Sequence, residues 1–274
     1  VAYGDYKKPI NDSSILKIAL EYTKTFGGRV ISFCQDEFLS ENGVINESIV
    51  STELGLKGIP DISESINIYR DIQILNYTNG KLHIPYVNTK MGVELIRDAK
   101  KRNLDITAST SLAHLIFSDK DIKEFNTNFK INPPLRSEID CKAVKEGLID
   151  GTIDYLTSMH EPLDIDNKKV VFDIASPGSI GLESVFGNMC NNFTLEKTID
   201  ILTRHKSIFE IEDHPIEKGS PADLTLFNPD KSYEFSNKHI LSTSKNCAYL
   251  GSKLKGIVYG SINNNNSTLN SLWT

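Results

Sequence analysis

Chemistry could gather at four short stretches: Phe33-Cys34-Gln35-Asp36, His83 to Thr89, Lys130 to Arg136, and Thr157 to Pro162. A hydrolytic metal centre needs about three or four His, Asp, Glu or Cys ligands converging on one point. Each stretch offers something, but none offers a set. Asp36 and His83 could each ligate a metal, yet each stands alone. Their other roles are a helix or turn cap for Asp36 and a hydrogen-bonded internal histidine for His83. His160 has the best position, just past a strand, and is open to a ligand role or a structural, solvent-facing one. His114 reads as packing on a helix, and His205, His214 and His239 as surface residues. The sequence has no HxH pair, no HExxH and no phosphate-cradling glycine loop.

The third stretch is the most specific. In Asn132-Pro133-Pro134-Leu135-Arg136 two prolines fix the backbone and remove N–H donors, so Asn132 is held in a defined pose. Its amide can donate and accept, which suits an imide or amide ligand. Arg136 could pair bidentately with a carboxylate. The same residues could instead form a rigid turn capping the next helix.

These stretches need elements to position them, and the apolar pattern supplies an alternation. Helices are expected over 15–26, 62–77, 91–101, 137–149, 180–189 and 195–203. Strands are expected over 29–34, 81–87, 104–108, 128–131 and 152–157. In the first helix Ile15, Leu16, Ile18, Ala19, Leu20 and Tyr22 suggest a buried face. Asp61 and Thr89 are read as N-caps. Strand–helix alternation predicts an α/β fold with a parallel sheet, open or closed into a barrel, whose chemistry sits where strands end. After Ile216 the texture changes to short strands over 222–227, 238–241 and 255–262, and Asn263 to Asn266 reads as a solvated tail. The expected division is a barrel over 1–215 and a small β unit with its tail over 216–274.

Composition bounds the classes. The chain has 274 residues, 39% hydrophobic and 24% charged, and a formal charge of -6. Such a balance argues against a nucleic-acid partner. No apolar run approaches the roughly 20 residues that span a bilayer, so no membrane association is expected. Cys34, Cys141, Cys190 and Cys247 are far apart with no CxxC pair, which fits a reducing compartment, the cytoplasm.

Several of these motifs resemble dihydroorotase. They are Asn132 to Arg136; Glu146-Gly147-Leu148-Ile149-Asp150-Gly151-Thr152-Ile153-Asp154; Tyr69-Arg70-Asp71-Ile72; Pro177 to Glu183; and Gly219 to Phe227. The resemblance is collinear from near Lys7 to Ile262. It implies a TIM-type (β/α)8 amidohydrolase barrel with a small β-sandwich built from both chain ends. It further implies reversible hydrolysis of dihydroorotate to carbamoyl aspartate in pyrimidine biosynthesis, with zinc activating a water and an aspartate shuttling the proton.

The departures from the family pattern fall on the chemistry. Where the family has a histidine before Cys-Glu-Asp, this chain has Phe33. In the His-x-x-His-x-Ser-Thr motif, His83 is kept and Tyr86 takes the second, metal-binding position. In Asp-His-Ala-Pro-His, Met159 stands at the catalytic aspartate and Leu163 at the substrate-contacting histidine. Asn132 and Pro177-Gly178 keep the substrate-binding pattern. An early His-x-His, the arginine after it and the metal-bridging residue find no counterpart, so an upstream segment with further barrel strands is expected. Phenylalanine, methionine and leucine cannot replace hard ligands, and neutral tyrosine is a poor substitute. The expectation is a catalytically inactive dihydroorotase-like protein with a structural or regulatory role, and no metal or cofactor bound by this chain although the family uses zinc. Aspartate carbamoyltransferase is the partner the family suggests, and homo-oligomers are open. The alternative is an active cyclic amidohydrolase using upstream ligands with His83, His160 or Asp36. A third reading is a binding module built on Asn132 and the Pro177-Gly178 backbone.

Overall fold

The computed structural model describes residues 2–269. Its centre is a parallel sheet of five strands among the described residues, in the order β1-β2-β5-β6-β7. These are β1 (Ala2–Tyr3), β2 (Arg29–Ile31), β5 (Leu82–Ile84), β6 (Ile106–Ser111) and β7 (Tyr155–Thr157). Between β2 and β5 a small parallel pair, β3 (Ile45–Asn46) and β4 (Gly58–Ile59), forms a separate lobe with the short helices α2 (Glu37–Ser40) and α3 (Ile49–Leu54). Leu82, His83 and Ile84 are all buried, so successive side chains on both faces of β5 are covered. Covered faces are what parallel sheets require.

The cover on one face is a row of helices. The first, α1 (Ser13–Lys24), packs on α4 (Ile62–Thr78); α4 packs on α5 (Lys90–Lys101), and α5 on α7 (Glu138–Asp150). Asp12 starts α1 by accepting from the Ser14 N–H, and Thr89 starts α5 by accepting from Gly92. Asp61 makes no such bond to α4, contrary to the capping role read from the sequence. The buried line of α1 is Leu16, Leu20 and Thr23, while Ile15, Ile18 and Tyr22 are exposed. Apolar type alone overstated that face, because spacing decides which side meets the core. The short helix α6 (Leu112–Ile116) follows β6 directly.

Two expected strands are absent. Residues 127–129 form a 3-10 turn capped by the Asn126 side chain, and 237–239 form another. Each has a polar side chain bonding locally to backbone, which competes with a strand ladder. His239 lies in the second turn and is buried, not on the surface. The chain continues through α8 (Val185–Asn192), α9 (Leu195–Thr203) and α10 (His205–Ile208) into an antiparallel sheet. That sheet is β8 (Asp223–Glu234), β9 (Lys253–Asn263) and β10 (Asn266–Leu269), with α8 against β9. The asparagine run is therefore a hairpin: Asn263 pairs with Asn266, and Asn264 turns the chain at φ 51°. Asparagine tolerates that left-handed conformation better than most residues.

No helix among the described residues is long and apolar enough to cross a membrane.

Candidate functional site

Parallel strands all point their C-terminal ends to one side, so Tyr6, Phe33, Tyr86 and Met159 gather around one mouth. Phe33 and Met159 are buried. The Phe33 and Tyr86 rings meet edge to face with centroids 6.4 Å apart. Tyr6, Tyr86 and Met159 have φ of 50°, 59° and 45°. Bulky residues rarely sit in this left-handed region, whereas Asp, Asn and His are several-fold enriched there. Such outliers cost on the order of 1–3 kcal/mol each and concentrate at functional sites.

Sequence reading missed two residues here, Tyr6 and Lys7. They follow β1, a two-residue strand too short to carry a periodic signal. The Lys7 ammonium pairs with Glu161 Oε1 at 2.6 Å, with side-chain exposures of 11% and 17%. The Tyr6 hydroxyl donates to the same oxygen at 2.7 Å. Lys7 Nζ also lies 5.3 Å from the Tyr86 ring centre and 5.8 Å from that of Tyr6. Burial pushes the Lys7 pKa down while Glu161 pulls it back up. Glu161 Oε2 is buried without a hydrogen-bond partner.

His83 is the middle residue of β5, before the strand's C-terminal end. Its Nδ1 meets Thr107 Oγ1 at 2.9 Å, and its Nε2 meets Ser109 Oγ at 3.1 Å and the Tyr155 hydroxyl at 3.0 Å. The Tyr155 ring stacks on it at 5.3 Å. Burial, with Arg29 and Lys100 nearby, lowers its pKa to about 3, so it is neutral. A cavity of about 370 Å³ lies between it, Tyr6, Tyr86, Tyr155 and Thr157.

His160 is occupied too. Its Nδ1 accepts from the Leu182 N–H at 3.2 Å, and Nε2 faces Ser242 Oγ at 3.5 Å. Nδ1 also stands 3.8 Å from Glu183 Oε2. Asp36 accepts from the Leu39 N–H and caps α2. His114 is buried and tied to the rigid stretch: Nδ1 meets Ser111 Oγ at 2.8 Å and Nε2 the Pro133 carbonyl at 3.0 Å.

Around the would-be substrate cradle, Asn132 is half-buried, and no hydrogen bond among the described residues fixes its amide. The Gly178 N–H donates to the Lys130 carbonyl at 2.8 Å, and its carbonyl accepts from Asn246 Nδ2 at 3.2 Å. At φ 147°, Gly178 has room for little else: a Cβ there would stand 3.0 Å from Leu163 Cδ1. Pro177 leads into this covered segment. Arg136 does not pair bidentately with a carboxylate. Fully buried, it donates to Asn88 Oδ1, Asn46 Oδ1 and the Ile59 carbonyl. Beside it Glu64 accepts from the Asn88 and Thr89 N–H groups and the Thr89 hydroxyl. Arg136 therefore ties the β3–β4 lobe to the barrel.

Curated relatives over nearly the whole chain carry one name. A dihydroorotase of Endomicrobium trichonymphae is 41% identical over 264 residues, 93% of this chain and 63% of its own length. One of Acetivibrio thermocellus is 38% identical over 273 residues, 97% of this chain and 64% of its own. The chain is dihydroorotase-like. It spans just under two thirds of these relatives. No family model matches it. Among solved structures, an L-hydantoinase from Arthrobacter aurescens superposes with TM-score 0.83 at 18% identity, covering 98% of this chain and 64% of its own. A D-hydantoinase superposes with TM-score 0.81 at 19% identity, covering 98% and 63%. At that identity the likeness is one of fold, a TIM-type α/β barrel.

The zinc implied by the dihydroorotase resemblance does not fit the mouth of this chain. Phenyl and thioether groups occupy Phe33 and Met159, and the cation beside Tyr86 is the Lys7 ammonium. Among the described residues no three His, Cys, Asp or Glu side chains could hold a metal ion.

Proposed function

We propose that this chain is a dihydroorotase-like barrel of pyrimidine biosynthesis that performs no ring-opening chemistry and serves a structural or regulatory role. One observation carries the reading. Tyr86 and Met159 stand at positions where the family pattern has His and Asp, in left-handed backbone that suits His and Asp and not their present occupants. A backbone suited to His and Asp persists under side chains that are poor ligands for zinc. Three further features support it. His83 is neutral and fully engaged. His160 is bonded to Leu182. The Gly178 backbone that would meet a substrate is bonded to Lys130 and Asn246.

The test uses the full-length natural protein. Metal content is measured by plasma mass spectrometry, and ring opening of dihydroorotate is followed with and without added zinc. The expected result is neither stoichiometric metal nor turnover. Stoichiometric zinc with ring opening would restore the active-amidohydrolase reading.

A further inference from the structure

We propose that the Lys7 ammonium is an internal ligand, seated in a cage of Glu161, Tyr6 and Tyr86 where a metal cation would otherwise supply positive charge. The inference rests on the reading that this mouth holds no metal.

The cage is built from opposite sides of the sheet. β1 and β7 are the edge strands of the order β1-β2-β5-β6-β7. Tyr6 and Lys7 follow β1, and Glu161 follows β7. The 2.6 Å ion pair therefore joins the ends of the two edge strands across the mouth. Tyr6 reinforces it by donating to the same carboxylate oxygen, and Tyr86, just after the central strand β5, presents its ring to the ammonium.

This is a different object from a surface ion pair. Exposed pairs are screened and hold little. Here the side chains are 11% and 17% exposed, and two aromatic rings lie within 6 Å of the nitrogen. A carboxylate with aromatic faces is the chemistry that recognises alkylammonium ions. Removing the ammonium leaves a largely buried carboxylate with one oxygen already unpartnered. Breaking such a pair from one side is strongly destabilising.

The cage predicts chemical rescue. In the full-length protein, Lys7→Ala should lower Tm by roughly 5–10 °C. Propylammonium chloride at tens of millimolar should recover much of that loss, since a ligand of the folded state alone stabilises by mass action. Sodium chloride at equal ionic strength should not, and neither should zinc. Glu161→Gln, alone and with Lys7→Ala, completes the test: the double variant should lose less than the sum of the singles, and its Tm should ignore propylammonium. If Lys7→Ala does not fold without amine, refolding yield with propylammonium against sodium chloride is the readout. A Tm unmoved by Lys7→Ala, a loss that propylammonium does not recover, or recovery by zinc instead would each overturn the cage. Zinc bound stoichiometrically by the unmutated protein would overturn the proposed function, and it is read from metal content without reference to the rescue.

Discussion

His114 holds Pro133: its Nε2–H donates to the Pro133 carbonyl at 3.0 Å, while Nδ1 accepts from the Ser111 hydroxyl at 2.8 Å. The ring thereby ties down the stretch that carries Asn132, and its burial disfavours the charged form. Burial lowers its pKa to about 3, as it does for His83. A histidine with a depressed folded pKa contributes stability above its unfolded value, near 6.5, and loses it as pH falls toward the folded value. Urea denaturation should therefore show stability falling from about pH 6.5 downward, by up to about 1.4 kcal/mol per pH unit for each ring. His83→Gln and His114→Gln should each make that decline shallower. A flat profile between pH 7 and pH 5 would refute the assignment.

Gly92 sits in the first turn of α5, where alanine would ordinarily gain about 1 kcal/mol over glycine. Here a Cβ would run into Glu64 Oε1 and stand 3.0 Å from Thr89 Oγ1. Neither can yield, because the carboxylate is held by three donors. Overpacking costs typically 1–3 kcal/mol, and displacing a buried carboxylate adds to it. Gly92→Ala should be net destabilising by chemical denaturation, the opposite sign to its helix propensity.

Arg136→Lys should be costly despite conserving charge. The guanidinium reaches three acceptors at 3.1, 2.9 and 2.7 Å on Asn88, Asn46 and Ile59. An ammonium is a compact point charge that cannot span them. Each buried acceptor left unmatched costs about 1–3 kcal/mol. The loss should be measurable as a lower denaturation midpoint, with cleavage in limited proteolysis concentrated on residues 37–59.

Restoring ligands one at a time should fail. Tyr86→His with Met159→Asp returns two family side chains to backbone that suits them. Calorimetric titration should still detect no zinc, because the Lys7 ammonium lies against the position of Tyr86. Adding Lys7→Ala removes the repulsion, and zinc binding should then become detectable. Binding by the two-residue variant would show that Lys7 is no obstacle.

The helices were legible in the sequence because their signal is periodic and local. The expected 62–77, 91–101 and 195–203 lie within one residue of α4, α5 and α9 at each end. Strand ends were less so: 81–87 shrinks to Leu82–Ile84 because Tyr86 leaves the extended region. Positive φ at a tyrosine has no compositional signature. That Phe33, Tyr86 and Met159 depart from the resembled pattern could be read from motif alone, but what surrounds them could not. Lys7 and Glu161 are 154 positions apart in sequence, and only the closing arc of the sheet brings them together. The same holds for Arg136, whose partners Asn46, Ile59 and Asn88 come from β3, β4 and the loop after β5.

The Lys7–Glu161 pair also gives the chain a direction in evolutionary time. Replacing Tyr86 by histidine first places a ligand beside the Lys7 ammonium, which repels a metal. Reverting Lys7 first strands Glu161 as a lone charge inside the mouth. Reverting Glu161 first strands Lys7. On the proposed reading, each single substitution toward a metal site therefore leaves a charge unpaired or a ligand beside an ammonium, while substitutions elsewhere on the barrel do not. If the mouth holds no metal, the pair couples these positions so that they can change only together.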